Sequence, residues 1–327
     1  MSIAILTEKP AVARDIARVL DARRRAEGVL YNDQYRVTWA LGHLVSLAEP
    51  HDIESRWKRW SLADLPILPE AWPLVVLSRG EAQFRVVAGV LNDPDVERVV
   101  CATDAGREGE LIFRLIYQAS ACRKPVQRLW LSSLTPAAIR QAFQNLRPGS
   151  DYDALADAAR GRSQADWLVG MNLSRLFTLR AGNQETLSVG RVQTPTLAMV
   201  AEREQAIRDF VPEDYKELEA RFRLEGEGGG EYRGLWFAPP KPTPEARRLP
   251  ADGVLAGEIQ NRVLAGQARV ASVEGQDKRQ APPLLYDLTE LQRHANRLYG
   301  YSAQQTLDIA QRLYETHKLI SYPRTDS

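Results

Sequence analysis

The feature that most constrains the fold is a pair of short apolar runs, SIAIL at residues 2–6 and the first part of VERVVCATD at residues 96–104. Runs of this length are typical of strands that are buried on both faces of a sheet. A helical spacing of apolar residues follows each run, with Val12, Ile16, Val19 and Leu20 after the first and Leu111, Ile112, Leu115 and Ile116 after the second. Because strands that alternate with helices form doubly wound parallel sheets, we predict that fold class here.

Two further apolar runs, YRVTWAL at residues 35–41 and PLVVL at residues 73–77, are also predicted to be strands. In doubly wound sheets the chemistry lies beyond the carboxyl ends of the strands. Glu8 follows the first strand and Asp104 ends the strand of residues 96–104, so both acids are expected at that edge of the sheet.

Length and composition indicate an ordinary multidomain protein. The 327 residues are enough for two or three domains, and the formal net charge of +1 gives no global basic field, although a local basic cleft is compatible with a neutral total. The two cysteines, Cys101 and Cys122, form no CxxC pair, which argues against a zinc ribbon and a disulfide framework. Neither a signal peptide pattern nor a run of transmembrane length is present, so a reducing cytoplasm is expected.

The second half of the chain changes from helical to β-rich and back. Residues 153–179 and the segment after LSVGRVQTP are predicted helices, and YKELEARFRL at residues 215–224 alternates with period two. GEGGGEYRG is predicted to be a hairpin turn, YRGLWF its return strand and ARVASVE, residues 268–274, another strand. A helix resumes at Leu288, and Ser302 with Gln305 forms a predicted capping box.

The predicted domains are residues 1–150 for the parallel sheet, 151–209 for a helical part, 210–275 for a β-rich part and 276–327 for a part that ends in SYPRTDS. In that last segment Pro323 disfavours helical backbone before it, so the segment is expected to be extended. Side chains two residues apart then point the same way, which predicts that Tyr322 and Arg324 share a face.

Two acidic turns are candidates for a metal site. TEKP contains Glu8 and Lys9, and ATDAGREGE at residues 102–110 crowds Asp104, Glu108 and Glu110 within seven positions. Crowded carboxylates are tolerable where a hard divalent cation such as Mg²⁺ binds them through oxygen. A polar helix entry or an N-cap is the alternative for each turn, because acids near a helix N-terminus complement its dipole without any further role.

Three other patterns do not identify a function by themselves. Arg162 and Asp166 are four apart on a predicted helix, and a plain salt bridge explains them. In LSVGRVQTP the backbone near Gly190 could approach a phosphate. Tyr322 beside Arg324 is either a structural pair or a nucleophile beside a phosphate clamp, since a phenol needs a cation or a base to lose its proton.

Together these segments resemble type IA DNA topoisomerases, most closely their bacterial topoisomerase III branch. The matching strings occur in the family's order along essentially the whole chain: TEKP, ALGHLVSLAEP, WSLADLPILPE, ATDAGREGELIFR, ARGRSQADWLVGMNLSR, LSVGRVQTPTLAMVAERE, PPLLYDLTELQ and LYETHKLISYPRTDS. The resemblance implies a multidomain fold, in which a Toprim domain with a Rossmann-like parallel sheet precedes helical and β-rich arch domains and the first part of a tyrosine-bearing domain.

The resemblance also implies a chemistry. Tyr322 would attack single-stranded DNA and keep the 5′ phosphate, and Glu8 would act as general acid in cleavage and as base in resealing. Lys9 and Arg324 would neutralise the scissile phosphate. Magnesium would be held by Glu8, Asp104 and Glu108. No ATP is expected, and the sequence has no GxxxxGK[ST] phosphate loop.

The resemblance further implies a set of DNA-contacting residues and a partner. The implied contacts are His43, Arg162, Asp166, Arg175, Ser188, Val189, Gly190, Arg191, Val192 and Gln193. His43 and Arg175 have structural roles as an equal alternative. The partner is single-stranded DNA, in the bacterial nucleoid or on plasmids, and a helicase is a further partner that the sequence does not identify.

Two departures from the family pattern shape the expectations. The acidic motif is usually Asp-x-Asp-x-Glu, but Gly106 replaces its second Asp, so one metal is expected rather than two, and a tighter turn is possible there. Family members usually continue past the tyrosine motif, so we expect a fragment whose residues 276–327 expose apolar surface. The second hypothesis is a fragment that binds single-stranded DNA without turnover. The third hypothesis is a Toprim nuclease or primase.

Overall fold

The computed structural model describes residues 1–182, 185–223, 229–270 and 275–324. The strands, in chain order, are β1 (Ser2–Thr7), β2 (Arg24–Ala26), β3 (Val29–Tyr31), β4 (Tyr35–Trp39), β5 (Val45–Leu47), β6 (Leu74–Val76), β7 (Val96–Ala102), β8 (Val126–Arg128), β9 (Arg147–Pro148), β10 (Tyr215–Lys216), β11 (Glu219–Arg223), β12 (Glu231–Leu235) and β13 (Leu249–Pro250). The α-helices are α1 (Pro10–Val19), α2 (Pro50–Ile53), α3 (Glu81–Asn92), α4 (Arg107–Ala119), α5 (Pro136–Gln144), α6 (Asp153–Ala181), α7 (Gln193–Arg208), α8 (Val254–Leu264), α9 (Leu288–Tyr299) and α10 (Ala303–Glu315).

The predicted parallel sheet is present at the N-terminal end of the chain. Seven strands are hydrogen-bonded in the order β2-β3-β4-β1-β7-β8-β9, and β4, β1, β7 and β8 run parallel. The outer strands pair antiparallel. The doubly wound α/β prediction is therefore confirmed for the centre of the sheet.

Both faces of this sheet are covered, as the continuous apolar runs predicted. Ala4 and Leu6 of β1 face a core that contains α3 and α4, whereas Ile5 between them faces the opposite core with α1 and α5. Successive strand residues point to opposite faces, so a strand that is apolar at every position must be buried on both sides.

The run PLVVL forms a strand, but not one of the main sheet. It forms β6, which pairs antiparallel with β5 in a separate two-stranded ribbon. Leu74 and Val76 pack against the core on the α4 side of the sheet. One covered face is enough for an antiparallel ribbon, which explains why a short apolar run does not need a central position.

The chain divides into two compact units, residues 1–196 with 284–327, and residues 197–283. The four-domain division remains a prediction beside this coarser one. In the smaller unit β11 pairs with β12 as an antiparallel hairpin, and β10 pairs with β13. Its core consists of Leu249 together with Ala256 and Ile259 of α8. The prediction of a β-rich part missed this helix.

Three sequence predictions for the smaller unit differ from the structure or fall on residues that the structure does not describe. The strand predicted over 215–224 is divided into β10 and β11, because Leu218 packs into the small core and its carbonyl accepts the Trp236 N–H at 2.9 Å. Residues 268–270 form no strand, and residues 271–274 lie outside the described residues. The same holds for residues 224–228, which include the first three residues of the predicted hairpin turn.

The last helices begin where the sequence predicted. α9 starts at Leu288, and in the capping box of α10 the Gln305 N–H donates to Ser302 Oγ at 3.1 Å while Gln305 Oε1 accepts the Ser302 N–H at 2.9 Å. α10 ends at Glu315, and Lys318 beyond its end has a left-handed φ of 56°. The expected exposed apolar surface is present on Leu284, Leu285 and Leu319.

Across the described ranges, no helix combines the length and the apolar character that crossing a membrane requires.

Phe113 tests the contribution of the sheet's α4-side core. Its side chain is fully buried, so Phe113→Ala should lower the free energy of unfolding by about 3–5 kcal/mol through lost burial and the cavity left behind. Phe177→Ala removes an exposed ring from α6 and is the matched control, with an expected change of roughly 0.5 kcal/mol or less. Urea unfolding followed by far-UV circular dichroism measures both variants. Equal losses in the two would contradict this packing.

Candidate active site

Two parallel neighbours bring the predicted acids together. Thr7 at the end of β1 lies in register with Ala102 at the end of β7, so the residues that follow leave the sheet side by side. Lys9 Nζ lies 3.2 Å from Asp104 Oδ2, and the Glu8 carboxyl is close enough to Asp104 to hydrogen-bond with it. Pro10 at the first position of α1 turns the chain away immediately after these residues.

Burial and neighbouring charges shift the pKa values of Glu8 and Lys9 at this edge of the sheet. Burial and then the neighbouring Asp104 raise the pKa of Glu8 to about 7. For Lys9, burial lowers the pKa, but the attraction of Asp104, Glu8 and Glu315 outweighs it and the net shift is upward. The ammonium therefore stays charged, while Glu8 can hold or release a proton near neutral pH.

Tyr322 is docked on the same edge of the sheet. Its backbone N–H donates to the Ser132 carbonyl at 2.9 Å, and its ring meets the Tyr314 ring edge-on with centroids 5.5 Å apart. Burial and then the Asp104 carboxylate raise the pKa of the Tyr322 phenol, while Arg324 lowers it by a smaller amount. The sequence predicted the Arg324 effect but not the burial that outweighs it.

A polar chain joins the two cations that the sequence singled out. Lys9 Nζ lies 3.2 Å from Glu315 Oε1, and Gln311 Nε2 donates to that same oxygen at 2.9 Å. Arg324 Nη2 lies 3.5 Å from Gln311 Oε1. Sequence reasoning missed Glu315 and Gln311. The available signal was their four-residue spacing on the last turns of α10, in the helix that precedes SYPR.

Half of the predicted site residues line a single cleft of about 870 Å³. The predicted residues on its wall are Glu8, His43, Asp104, Glu108, Arg162, Asp166, Tyr322 and Arg324. Tyr322 and Arg324 thus open onto the same space, although Pro323 and Arg324 form a turn where the sequence predicted an extended segment. Arg107 and Trp130 also line the cleft and were not among the predicted residues.

On the helical side of the cleft, the salt-bridge partner of Asp166 is not the one that the sequence predicted. Asp166 pairs with Arg191, whose Nε lies 2.6 Å from Asp166 Oδ1, so the plain Arg162–Asp166 bridge is not the arrangement present. The pairing with Arg191 lowers the pKa of the Asp166 carboxyl. Arg162 therefore keeps its guanidinium free of this carboxylate while it lines the cleft.

The segment before α7 is fastened to α6 by its backbone. Ser174 Oγ accepts the Val189 N–H at 2.9 Å, Thr194 Oγ1 accepts the Gly190 N–H at 3.0 Å, and Gln193 Nε2 donates to Ser188 Oγ at 2.8 Å. The Val192 side chain is exposed. The predicted phosphate approach near Gly190 thus has a defined backbone, although two of its amide protons already have partners.

Arg175 does not line the cleft. Its side chain is only 5 % exposed, its Nη1 donates to the Trp57 carbonyl at 2.9 Å and its guanidinium lies 5.2 Å from the centre of the Trp60 ring. Burial lowers the pKa of this arginine. Of the two roles that the sequence left open for Arg175, the structural one fits these contacts.

The three carboxylates of the acidic turn separate into different environments. Glu110 is 2 % exposed and pairs with Arg114 and Arg128, so it faces the protein interior. Glu108 is 72 % exposed, and its Oε1 lies 2.6 Å from His43 Nε2. Within the described residues no group of three His, Cys, Asp or Glu side chains gathers as a cation-binding cluster.

Glu8 and Asp104 nevertheless have the chemistry of a magnesium site. The Asp104 carboxylate raises the pKa of the neighbouring Glu8, so a cation shared by the two groups would relieve their repulsion. Magnesium is commonly bound through one or two carboxylates, with water and substrate phosphate in its remaining positions. The donor set therefore fits one Mg²⁺ ion, with Glu108 in the same cleft.

The glycine that the turn requires is Gly109 rather than Gly106. Gly106 has an extended backbone, with φ at 175°, and a Cβ there would meet nothing within 4 Å, so this position needs neither the conformational freedom nor the small size of glycine. A Cβ on Gly109 would lie 2.2 Å from the Asp104 carbonyl oxygen. The absence of a side chain at 109 lets α4 begin directly beneath Asp104.

Comparisons with known proteins match both parts of the chain. Residues 3–134 match the model of the Toprim domain, and residues 150–327 match a family model described as DNA topoisomerase. The protein named DNA topoisomerase 3 from Shouchella clausii (strain KSM-K16) is 47 % identical over 324 residues, 99 % of this chain and 43 % of that protein. Its namesake from Bacillus subtilis (strain 168) is 45 % identical over 323 residues, with the same coverage of 99 % and 43 %.

A solved structure, the full-length topoisomerase I from Thermotoga maritima, is also similar. It superposes with a TM-score of 0.61 at 25 % identity, over 99 % of this chain and 49 % of that chain. This chain thus spans less than half the length of each of these relatives.

Gly109→Ala should disturb the turn that carries Asp104. The added methyl group would clash with backbone, which cannot move away cheaply, so we expect the free energy of unfolding to fall by about 1–3 kcal/mol. Gly89→Ala in the middle of α3 is the matched control, because a Cβ there meets nothing, and it should raise stability by about 0.5–1 kcal/mol. Urea unfolding of both variants checks the difference. A stabilised Gly109→Ala protein would be incompatible with the close approach.

Proposed function

Because this chain belongs to the type IA family of DNA topoisomerases, we propose that it breaks and rejoins single-stranded DNA without ATP, through a covalent link between Tyr322 and a 5′ phosphate. The observation that carries the proposal is the meeting of Tyr322, Glu8 and Asp104 at one sheet edge, although more than 200 residues separate the tyrosine from either acid in sequence. Strand passage through the break would relax or unlink DNA.

In the proposed cleavage step, the Tyr322 hydroxyl oxygen attacks phosphorus and the bond from phosphorus to the 3′ oxygen breaks. The phenol proton passes to the adjacent Asp104 carboxylate or to water, and the departing 3′ oxygen takes a proton from Glu8. Resealing reverses each transfer. A Glu8 pKa of about 7 supports both directions, because the carboxyl group is partly protonated at neutral pH.

Two cations would neutralise the negative charge of the phosphate during its transfer. Lys9 stays protonated beside Asp104, and Arg324 shares the cleft with Tyr322. Phosphoryl transfer depends chiefly on positioning and on neutralising the equatorial oxygens, which is what fixed cations supply. The chain through Glu315 and Gln311 would hold both at a constant spacing.

Magnesium, bound by Glu8 and Asp104 with Glu108 nearby, would supply positive charge to the phosphate oxygens and to the DNA strand. The protein's own contribution is to hold two carboxyl groups side by side, where burial and Asp104 disfavour the charged form of Glu8. Because Gly106 offers no side-chain ligand, we assign one such ion to the site.

The strand that leads to the break would follow α6 and the start of α7. The proposed contacts are His43, Arg162, Asp166, Ser188, Val189, Gly190, Arg191, Val192 and Gln193. Arg175 would support them from within rather than touch DNA. We place the reaction in the bacterial cytoplasm, where the two free, buried thiols Cys101 and Cys122 would stay reduced, and we leave a helicase partner unassigned.

A binding function without turnover is the second candidate. The raised pKa of the Tyr322 phenol favours it, because a protonated phenol is a poor nucleophile. A nuclease or primase built on the Toprim domain would leave the match over residues 150–327 without a role.

Tyr322→Phe separates the two candidates. With magnesium and a single-stranded oligonucleotide labelled at its 3′ end, the chain should form a label-bearing adduct that survives denaturation, and Tyr322→Phe should form none while binding DNA equally well. The ring is kept, so its contact with Tyr314 persists. Tyr31→Phe on a strand at the far side of the sheet is the control and should retain the adduct.

The position of the label sharpens that experiment. A 5′ label must leave with the free 3′ hydroxyl fragment, since the phosphate stays with the downstream strand. Adduct formation by Tyr322→Phe would refute the assignment of the nucleophile. Equal DNA binding by both proteins with no adduct from either would establish the binding function instead.

Asp104→Asn tests the magnesium site without reference to activity. At a magnesium concentration ten times its Kd, the native chain should gain about 1.4 kcal/mol of stability by mass action, and the variant should lose most of that gain. Asp33→Asn removes an exposed acid outside the cleft and should keep it. Thermal unfolding with and without MgCl₂, at matched ionic strength, gives the difference. An unchanged gain in Asp104→Asn would exclude Asp104 as a ligand.

A further inference from the structure

We infer that Trp130 is a stacking platform for one unpaired nucleobase of the DNA strand in the cleft, an inference that rests on the proposed function. Trp130 lies two residues after the end of β8, at the same sheet edge as Glu8 and Asp104. Two residues further on, the Ser132 carbonyl accepts the backbone N–H of Tyr322. The indole is therefore on the segment that positions the tyrosine.

The exposure of this side chain is unusual for its surroundings. Trp130 is 40 % exposed and lines the cleft that contains Tyr322 and Asp104. Most of the cleft's other lining side chains are charged or polar, including Arg162 and Arg324. An apolar ring held open to water among such groups has free energy to gain when a flat partner covers it.

Trp130 is also braced from behind. Its ring stacks on the Tyr152 ring, with centroids 5.4 Å apart and planes 17° apart, and the Arg128 guanidinium lies 5.0 Å from its centre. Neither Tyr152 nor Arg128 lines the cleft, and Arg128 is almost completely buried. The supports hold the ring in place, so little rotamer entropy is lost when a base stacks on it.

Single-stranded DNA supplies a flat partner. Unpaired bases expose their faces, and proteins that follow a single strand combine cations for the phosphates with aromatic rings for the bases. The cleft offers both kinds of group, with Arg162 and Arg324 for phosphate and Trp130 for a base. Since every base has a π face, the contact would fix the strand's position near Tyr322 and read little of its sequence.

The binding experiment compares three substitutions with a fluorescein-labelled thymidine decamer and no divalent ion. Trp130→Leu should raise Kd by about 5- to 150-fold, the range of base–aromatic stacking, and Trp130→Phe should restore most of the affinity. Tyr232→Leu, which alters an exposed aromatic ring on β12 that does not line the cleft, should leave Kd unchanged. The slope of log K against log salt should be the same for Trp130→Leu and the native chain, because stacking releases no counterions.

An abasic scan locates the stacked base. One abasic position in the decamer should weaken binding to the native chain by the same factor as Trp130→Leu, and the two changes together should cost no more than either alone. Full additivity at every position would overturn the proposal. So would Trp130→Leu with native affinity.

Cross-linking of the native chain avoids the risk that Trp130→Leu does not fold. Light-activated 5-iodouracil at the position found by the scan should join to the peptide that contains Trp130, and mass spectrometry identifies it. Cross-links confined to other peptides would overturn the proposal that Trp130 stacks on a base. Salt-dependent binding of the single strand would still leave the proposed function intact. Failure of the native chain to bind single strands at all would overturn both.

Discussion

The turn that carries Asp104 depends on one buried guanidinium. Arg128 donates to the carbonyl oxygens of Cys101, Thr103, Leu129 and Asp104, at distances between 2.8 and 3.0 Å. Its Nε lies 3.1 Å from Glu110 Oε2 without hydrogen-bond geometry, so the attraction between the two groups is chiefly coulombic. Both side chains are almost completely excluded from water, and breaking such a pair costs about 3–5 kcal/mol because it leaves one buried charge unmatched.

This interaction fixes the shape of the acidic turn. The strand that ends at Ala102 and the helix that starts at Arg107 are joined through the guanidinium, and Gly109 lets them approach closely. Asp104 is thereby presented to Glu8 and Lys9 from a backbone whose carbonyl groups are already occupied. The rigid part of the site belongs to the sheet, and the tyrosine segment attaches to it through Ser132.

The parts that the sequence predicted are those with a local signal. The buried strands that end at Glu8 and Asp104 follow from continuous apolar runs, and the start of α10 follows from a capping box. The assembly of a cleft from residues distant in sequence followed from the parallel-strand rule for the acids, but only from family resemblance for Tyr322. Residue types at fixed spacing were enough for these features.

The parts that were missed are set by contacts between distant segments. Spacing on a helix predicted that Asp166 could pair with Arg162, but Arg191, 25 residues further on, takes that place. Nothing near Lys9 in sequence indicates Glu315, and nothing near Asp104 indicates that Gly109 must lack a side chain. The position of β6 outside the main sheet has the same origin, because a short apolar run is compatible with either kind of pairing.

The placement of Lys9 between Asp104 and Glu315 has a thermodynamic consequence for any anion that enters the cleft. Its ammonium already faces two carboxylates, each 3.2 Å away. An incoming oxyanion reaches that charge by exchange with one of them, so its gain is the difference between an old ion pair and a new one. A small inorganic anion therefore gains little free energy by replacing a carboxylate beside Lys9. A polyanion that also binds elsewhere along its length has additional binding free energy with which to replace it.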